Sequence, residues 1–149
     1  MSAALTALQT ALRAEHAAVF VYGALGAQTS RSAQPALFTA VASAYDVHRS
    51  RRDLLIREIA ALGARPEAAA ASYALPRGPA GPRAVSDAAL DVERGCARTY
   101  AWLVANTVGD RRRWAIEALT DAAVRELAFR GTPEMLPGAD EYRGPLKPG

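Results

Sequence analysis

The stretch LRAEHAAVFVYGALG, residues 12–26, decides the fold, because it has a helical pattern yet carries a carboxylate within its apolar stripe. The stripe repeats at spacings of three and four residues and consists of Leu5, Leu8, Leu12, Glu15, Val19 and Tyr22. Such spacing places all six side chains on one face of an α-helix. A carboxylate buried on that face must be paired, protonated or bound to a metal. Glu15 therefore predicts polar partners on neighbouring helices.

Length and composition favour one domain with its own core. The chain has 149 residues, enough to bury about 70% of the surface of the unfolded chain. Cys96 is the one cysteine, so no internal disulfide can form, and we interpret it as a small packing residue. We find no signal peptide pattern, and no apolar run approaches the ~20 residues that span a bilayer. We therefore expect a cytoplasmic protein without membrane association.

The charge pattern does not indicate a nucleic-acid-binding protein. The formal net charge is +3, and almost all of the positive charge is arginine. Two basic runs, HRSRRD and DRRRW, are typical of solvated helix faces and first turns. The sequence also lacks a P-loop, a GxGxxG motif and a GxSxG motif. We therefore expect no nucleic-acid partner and assign no catalytic or cofactor-binding residue.

Hydrophobic periodicity predicts four helices and no strand, at about 3–27, 35–62, 85–106 and 110–130. The second seam is Phe38, Val41, Tyr45, His48, Arg52, Leu55, Ile59 and Leu62; the third is Leu90, Glu93, Ala97, Tyr100 and Val104. The fourth helix is less regular, with one stripe through Ile116, Leu119, Ala123 and Leu127 and another through Trp114, Glu117, Asp121 and Val124.

The lengths of the connections predict the topology. The first and last links are short, so each helix pair is an antiparallel hairpin. The middle link, residues 63–83, holds four prolines and is long enough to return along the whole bundle. This predicts an all-α, up-down-down-up, ferritin-like four-helix bundle with one long crossover. We assign the bundle to residues 1–132 and a Pro/Gly-rich tail to residues 133–149.

In this topology four polar side chains fall near the same height, at ~1.5 Å of rise per residue. They are Glu15, His48, Glu93 and Asp121, with Glu93 expected to lie one or two turns off the level of the others. His16 points about 100° away from Glu15 and does not join them.

The chain resembles the ferritin-like proteins, and in detail the actinobacterial DUF4439 family of undefined function. The resemblance is carried by ALRAEHAAVFVYGALG, AYDVHRSRRDLL, YALP, VERGCARTYAWL and ALTDAAVREL. It covers about residues 5 to 130, and the combination is more specific than any single motif.

The resemblance implies a di-metal centre that this chain matches only in part. Ferritin-like di-iron proteins use a Glu from each of two helices and a Glu-x-x-His from each of the other two. Glu15, Glu93 and His48 match, and Asp121 stands in for a glutamate. Tyr45 replaces a glutamate, and Val124 replaces a histidine.

Two interpretations of these residues remain. In the preferred one, Arg52 and His48 pair the carboxylates, Tyr45 donates a hydrogen bond, and no metal is bound. In the other, Glu15, His48, Glu93 and Asp121 hold iron or manganese in an atypical centre. Arg52 could instead extend into solvent, with Glu15 at a wet seam edge.

The preferred interpretation predicts a non-catalytic helical module that associates with itself or with an unknown protein partner. Candidate contact residues outside the internal seam are Phe20, Trp102, Ile116 and Leu127, and a two-fold homodimer is the simplest assembly. One alternative is a metal-dependent oxidase or storage protein with an atypical centre, which could hold a single metal on Glu15, His48 and Glu93. A further alternative is a small-molecule binder that uses an apolar cavity of the bundle.

Overall fold

The computed structural model describes residues 2–75, 81–130 and 135–139. Within these ranges the chain forms four helices and no strand, which confirms the all-α prediction. The helices are α1 (Ala3–Ala27), α2 (Pro35–Ala61), α3 (Pro82–Asn106) and α4 (Gly109–Arg130). None of the described helices is long and apolar enough to cross a membrane.

Local chemistry explains where the helices begin and end. The Ser2 side chain accepts a hydrogen bond from the amide of Leu5 and caps α1. Gly63 follows α2 with a φ of +73°, a conformation that a residue with a side chain rarely adopts. The third helix begins at Pro82, three residues before the predicted start, because proline is well suited to the first helical turn.

The core consists of two apolar clusters with polar side chains between them. The first cluster includes Leu8, Leu12, Leu55, Ile59 and Leu103, and the second includes Val21, Tyr22, Leu25, Val41 and Val85. Complete burial of one such aliphatic side chain contributes about 1.5–3 kcal/mol. Along each of the first three helices, Glu15, His48 and Glu93 lie between residues of the two clusters.

The buried face of α4 differs from both predicted stripes. Its buried residues are Ala115, Ala118, Ala122 and Glu126, at spacings of three and four. Ile116, Val124 and Leu127 are instead among the exposed large apolar residues. Alanine carries little hydrophobic signal, yet its small side chain lets a helix approach its neighbour closely. The prediction of the internal face of α4, which relied on the larger apolar residues, is therefore wrong.

Residue contacts show how the helices pair. Glu15 contacts His48 on α2, whereas Gly26 near the end of α1 approaches Val41 near the start of α2. Contacts between α1 and α3 likewise run in opposite orders, since Tyr22 meets Glu93 and Glu15 meets Tyr100.

The same reversed order holds for α4 and its neighbours. Arg125 reaches Glu93 on α3, and Trp114 packs edge-on against Tyr100. Towards α2, Asp121 contacts Arg51, while Arg111 near the start of α4 contacts Glu58 near the end of α2.

The long connection between α2 and α3 follows α1. Gln9 donates to the carbonyl of Arg65 at 2.8 Å, and His16 Nε2 lies 3.1 Å from the carbonyl oxygen of Glu67. Farther along, the Phe20 and Tyr73 rings are 5.5 Å apart. Residues 64–75 carry no helix or strand, and residues 76–80 lie outside the described ranges. The described part of the crossover therefore runs in the same direction as α1. His16 contacts this crossover and is not part of the core.

Part of the C-terminal segment packs on α3. Gly138 has a φ of +85°, and a Cβ added there would lie 2.8 Å from the carbonyl oxygen of Ala97. Only glycine satisfies both the backbone conformation and this close approach. The rest of the predicted tail, and its boundary at residue 133, lie outside the described residues.

Candidate functional site

Three helices bring a charged side chain to one buried point. Glu15 on α1, His48 on α2 and Glu93 on α3 are each 0% exposed. His48 Nδ1 lies 2.6 Å from Glu15 Oε2, and His48 Nε2 lies 3.0 Å from Glu93 Oε1. The structure thus joins three of the four residues predicted to meet at mid-bundle.

The surroundings of His48 favour its imidazolium form. Ionised carboxylates only accept hydrogen bonds, so an imidazolium, with a proton on each ring nitrogen, can donate to both Glu15 and Glu93. Burial by itself would lower the pKa of His48, but the charge and hydrogen bond of Glu15, followed by those of Glu93, raise it. The ring also stacks on Tyr22, with centroids 5.2 Å apart.

Glu93 has three donors at one carboxylate oxygen, whereas its other oxygen, Oε2, is buried without a hydrogen-bond partner among the described residues. Its Oε1 accepts hydrogen bonds from the Tyr22 hydroxyl at 2.6 Å and from Arg125 Nε at 3.0 Å, besides its contact with His48. Burial would raise the pKa of Glu93, but His48, Arg125 and the Tyr22 hydrogen bond together lower it to about 2. Burial and then Glu93 raise the pKa of Tyr22, so its hydroxyl keeps the proton that it donates.

Glu15 has a tyrosine of its own. Tyr100, which is 1% exposed, donates its hydroxyl to Glu15 Oε1. Burial, followed by the charge of Glu15, raises the pKa of Tyr100 well above its ordinary value. The Arg51 guanidinium lies over the Tyr100 ring, 5.1 Å from its centroid.

Asp121 belongs to an outer layer of the site. Its Oδ2 accepts from Arg125 Nη1 at 2.7 Å and from Arg51 Nη2 at 2.5 Å. The Asp121 side chain is 49% exposed, in contrast to the three inner residues. Two arginines therefore separate Asp121 from Glu15 and Glu93, and the structure does not place this carboxylate with the inner group.

Two predicted members of the network make other contacts. Arg52 donates through Nε and Nη2 to Asp53 at 2.9 and 2.8 Å, on the outside of α2. Tyr45 lies partly buried beneath the Arg49 guanidinium, and it makes no hydrogen bond to Glu15 or Glu93. The prediction that Arg52 and Tyr45 support the carboxylates is therefore wrong.

The orientation of α2 accounts for this correction. A helix with 3.6 residues per turn allows the buried stripe to continue either three or four residues from His48. In the structure Ala44 and Arg51 are buried, whereas Tyr45 and Arg52 are only partly covered. The buried stripe of α2 thus includes Ala44, four residues before His48, and Arg51, three residues after it.

Several residues of the site were missed or left unassigned by sequence reasoning. They are Tyr22, Arg51, Cys96, Tyr100, Arg125 and Glu126. Tyr22 and Tyr100 lie on predicted seams, and this position was the feature of the sequence that could have identified them as site residues. Glu126 is 1% exposed, and its Oε2 lies 4.0 Å from Arg94 Nε. Its only sequence signal is its spacing from the alanines of α4.

The charges around His48 balance. Three carboxylates, Glu15, Glu93 and Asp121, face three cations, His48, Arg51 and Arg125, while Glu126 lies beside Arg94. Buried ions are tolerated when they are paired and hydrogen-bonded in this way. Most of the buried charges of this network are thus paired, although Arg51 Nη1, Arg125 Nη2 and Glu93 Oε2 are buried without a hydrogen-bond partner in the part of the chain that the structure describes.

Removing the Tyr22 hydroxyl should reveal how strongly the network depends on neutral donors. Tyr22→Phe leaves Glu93 without a 2.6 Å hydrogen bond and should lower the free energy of unfolding by about 1.5–3 kcal/mol. Tyr45→Phe is the matched control, since this hydroxyl makes no bond to the carboxylates, and should change stability by less than about 0.5 kcal/mol. Urea denaturation of both variants measures the difference; equal losses would contradict the geometry.

Comparisons with known proteins place the chain among proteins of uncharacterised function. No curated protein matches it significantly. The crystal structure of a conserved hypothetical protein, rv2844, from Mycobacterium tuberculosis is similar, with a TM-score of 0.78 and 32% sequence identity. That similarity covers 85% of this chain and 87% of the mycobacterial chain. The model of the domain of unknown function DUF4439 matches residues 7–141, so the chain belongs to the DUF4439 family.

Proposed function

We propose that the four helices form a ferritin-like bundle of up-down-down-up topology. Support comes from the reversed order of contacts in each of the four helix pairs α1–α2, α1–α3, α3–α4 and α2–α4. If α2 and α3 are each antiparallel to α1, they are parallel to each other. The long connection along α1 is the return that such a topology requires.

On this bundle the protein acts as a non-catalytic, self-associating module whose centre is held by ion pairs. The observation that carries this proposal is the bond of Arg125 Nε to Glu93 Oε1, the carboxylate oxygen that also receives His48 and Tyr22. The three donors on Oε1 hold this fully buried carboxylate in one position, which supports a structural role for Glu93.

The residues present do not fit the di-metal centre that the ferritin-like resemblance implies. Glu93 would be a bridging carboxylate, yet a guanidinium bonds to it at 3.0 Å and would be repelled by two divalent ions. Tyr45 and Val124 occupy the positions of the missing glutamate and histidine, and Val124 is 59% exposed. An iron or manganese oxidase with two metals is therefore not supported by this donor set.

Metal analysis tests the proposal directly. Protein purified without chelator, then exposed to Fe(II) or Mn(II) in excess, should not retain two metal ions per chain. It should also show no oxygen consumption above the rate of the ions alone. Two tightly held ions, or catalytic oxidation of Fe(II), would overturn the proposal.

Self-association is proposed through the outer face of α4. Ile116, Val124 and Leu127 are 48%, 59% and 39% exposed, and their spacing of eight and three residues places them on one stripe. A two-fold pairing of this stripe with a second copy would cover all three apolar side chains on each protomer. Phe20, by contrast, already packs against Tyr73 of its own chain. The cytoplasmic location and an additional protein partner stay predictions.

A charge placed in the middle of the α4 stripe should separate the protomers. Val124→Glu should shift a micromolar sample from dimer to monomer without loss of helix content, because a carboxylate in a two-fold contact meets its own copy. Trp102→Glu is the matched control, since Trp102 is 53% exposed on α3 rather than on the α4 stripe. Sedimentation velocity reads the outcome; a monomeric wild-type chain of 15.7 kDa would refute the proposed interface.

A further inference from the structure

One group of potential metal ligands in the described residues differs from the set that the sequence suggested. One ligand atom each from Glu15, His48 and Cys96 lies within 4.8 Å of the other two, and all three residues are buried. The residues come from α1, α2 and α3, so the folded bundle alone brings them together. We propose that they form a binding site for a single zinc-class divalent cation, with carboxylate, imidazole and thiolate as ligands. This goes beyond the proposed function, which concerns the metal-free protein.

The chemistry of the donors indicates the class of ion. Zinc in proteins is bound by cysteine sulfur, histidine nitrogen and carboxylate oxygen in tetrahedral sites. A thiolate beside an imidazole and a single carboxylate suits such a borderline ion better than magnesium or calcium, which take oxygen ligands. Three protein ligands leave a fourth position for water.

Binding is compatible with the bonds of the neighbouring Arg125. His48 Nδ1 is the ring nitrogen that faces Glu15, so it is the one that would bind the ion. Nitrogen and sulfur ligands bind a metal ion without a proton on the ligating atom, so the ion would displace any proton on Nδ1 and the proton of the Cys96 thiol. The bonds of Arg125 to Glu93 and Asp121 involve none of the three ligand atoms.

The surrounding hydrogen bonds already orient two of the three ligands. His48 Nε2 donates to Glu93 Oε1, which is the carboxylate–histidine pair that commonly supports a metal-bound imidazole. The Tyr100 hydroxyl donates to Glu15 Oε1 and leaves Oε2, the oxygen that faces His48, for the ion. The Glu93 carboxylate is itself held by Tyr22 and Arg125.

A groove provides access to the thiol. Between α1 and α3 lies a groove of about 500 Å³ that reaches Cys96, although this side chain is only 2% exposed. Its walls carry small side chains, among them Ala14, Ala17, Ala18 and Gly95. Cys96 is the one cysteine of the chain, so any thiolate signal or thiol reaction reports on this site alone.

Titration of the full chain with Co(II) after removal of metal by a chelator tests the site. One Co(II) per chain should bind, with a thiolate-to-cobalt charge-transfer band in the near ultraviolet and visible bands of tetrahedral cobalt. Binding should release protons, because a ligating thiol must lose its proton. Zn(II) should bleach these bands by displacement. Absence of one-to-one binding, or binding without a thiolate band, would overturn the proposal.

Variants separate this ligand set from the one that the sequence suggested. Cys96→Ser should abolish the charge-transfer band, whereas Asp121→Asn, which changes a carboxylate outside the inner group, should keep it. If Cys96→Ser fails to fold, wild-type protein still decides: X-ray absorption of the Zn(II)-loaded chain should show one sulfur ligand at about 2.3 Å. A zinc coordination shell of nitrogen and oxygen alone would exclude Cys96 as a ligand.

Discussion

Replacing Arg125 by methionine should lower the free energy of unfolding by about 3–5 kcal/mol. The Arg125 side chain is only 14% exposed, and its Nε bonds to the fully buried Glu93 while its Nη1 bonds to Asp121. Methionine occupies a similar volume but carries no charge, so Glu93 would keep a negative charge with one of its two cations removed. The loss should appear in chemical denaturation at neutral pH.

The matched control for Arg125 is Arg52. Arg52→Met removes a cation that pairs with Asp53 across partly exposed side chains, and it should cost less than about 1 kcal/mol. Combining Arg125→Met with Glu93→Gln should recover part of the loss, because the two partners are then removed together. Equal destabilisation by Arg52→Met and Arg125→Met would contradict this arrangement of the network.

The metal-free protein should be most stable between about pH 4.5 and 6.5, with losses on both sides. The pKa of Glu93 falls from 4.5 to about 2, so its contribution is present above pH 4.5 and disappears as the pH falls through the folded value. That difference corresponds to about 3 kcal/mol at 1.36 kcal/mol per pKa unit. The pKa of His48 is raised from 6.5, so its contribution is complete below pH 6.5 and is lost as the pH rises through the folded value.

The groups that shift these two pKa values come from all four helices: Glu15 and Tyr22 on α1, His48 on α2, Glu93 on α3, and Arg125 on α4. Unfolding measured against pH with a chelator present tests the profile. Of the two histidines, His48→Gln should remove the alkaline decline and His16→Gln should leave it. An alkaline decline that survives in His48→Gln would contradict the assignment of an imidazolium at this site.

The sequence by itself was sufficient to predict the helices and part of the candidate site. Glycine, proline and Ser2 mark the ends of the helices because capping and the φ angle are local properties. Glu15, His48 and Glu93 were identified because a charged group on an apolar seam is expensive to bury, and therefore needs partners at its own height. Length alone indicated that residues 63–83 return along the bundle.

Only the tertiary structure decided which side chains complete the network. A 3.6-residue period places residues three and four positions from His48 almost equally close to the seam, and the packing of α2 selects Arg51 over Arg52. On α4 the buried alanines carry no distinguishing hydrophobic signal, so the inward orientation of Arg125 and Glu126 followed from close contact with α3. Cys96 lies beside Glu15 and His48 for the same reason. Whether side chains on different helices meet depends on how each helix is rotated about its own axis. The sequence pattern determines that rotation only to within one residue in either direction.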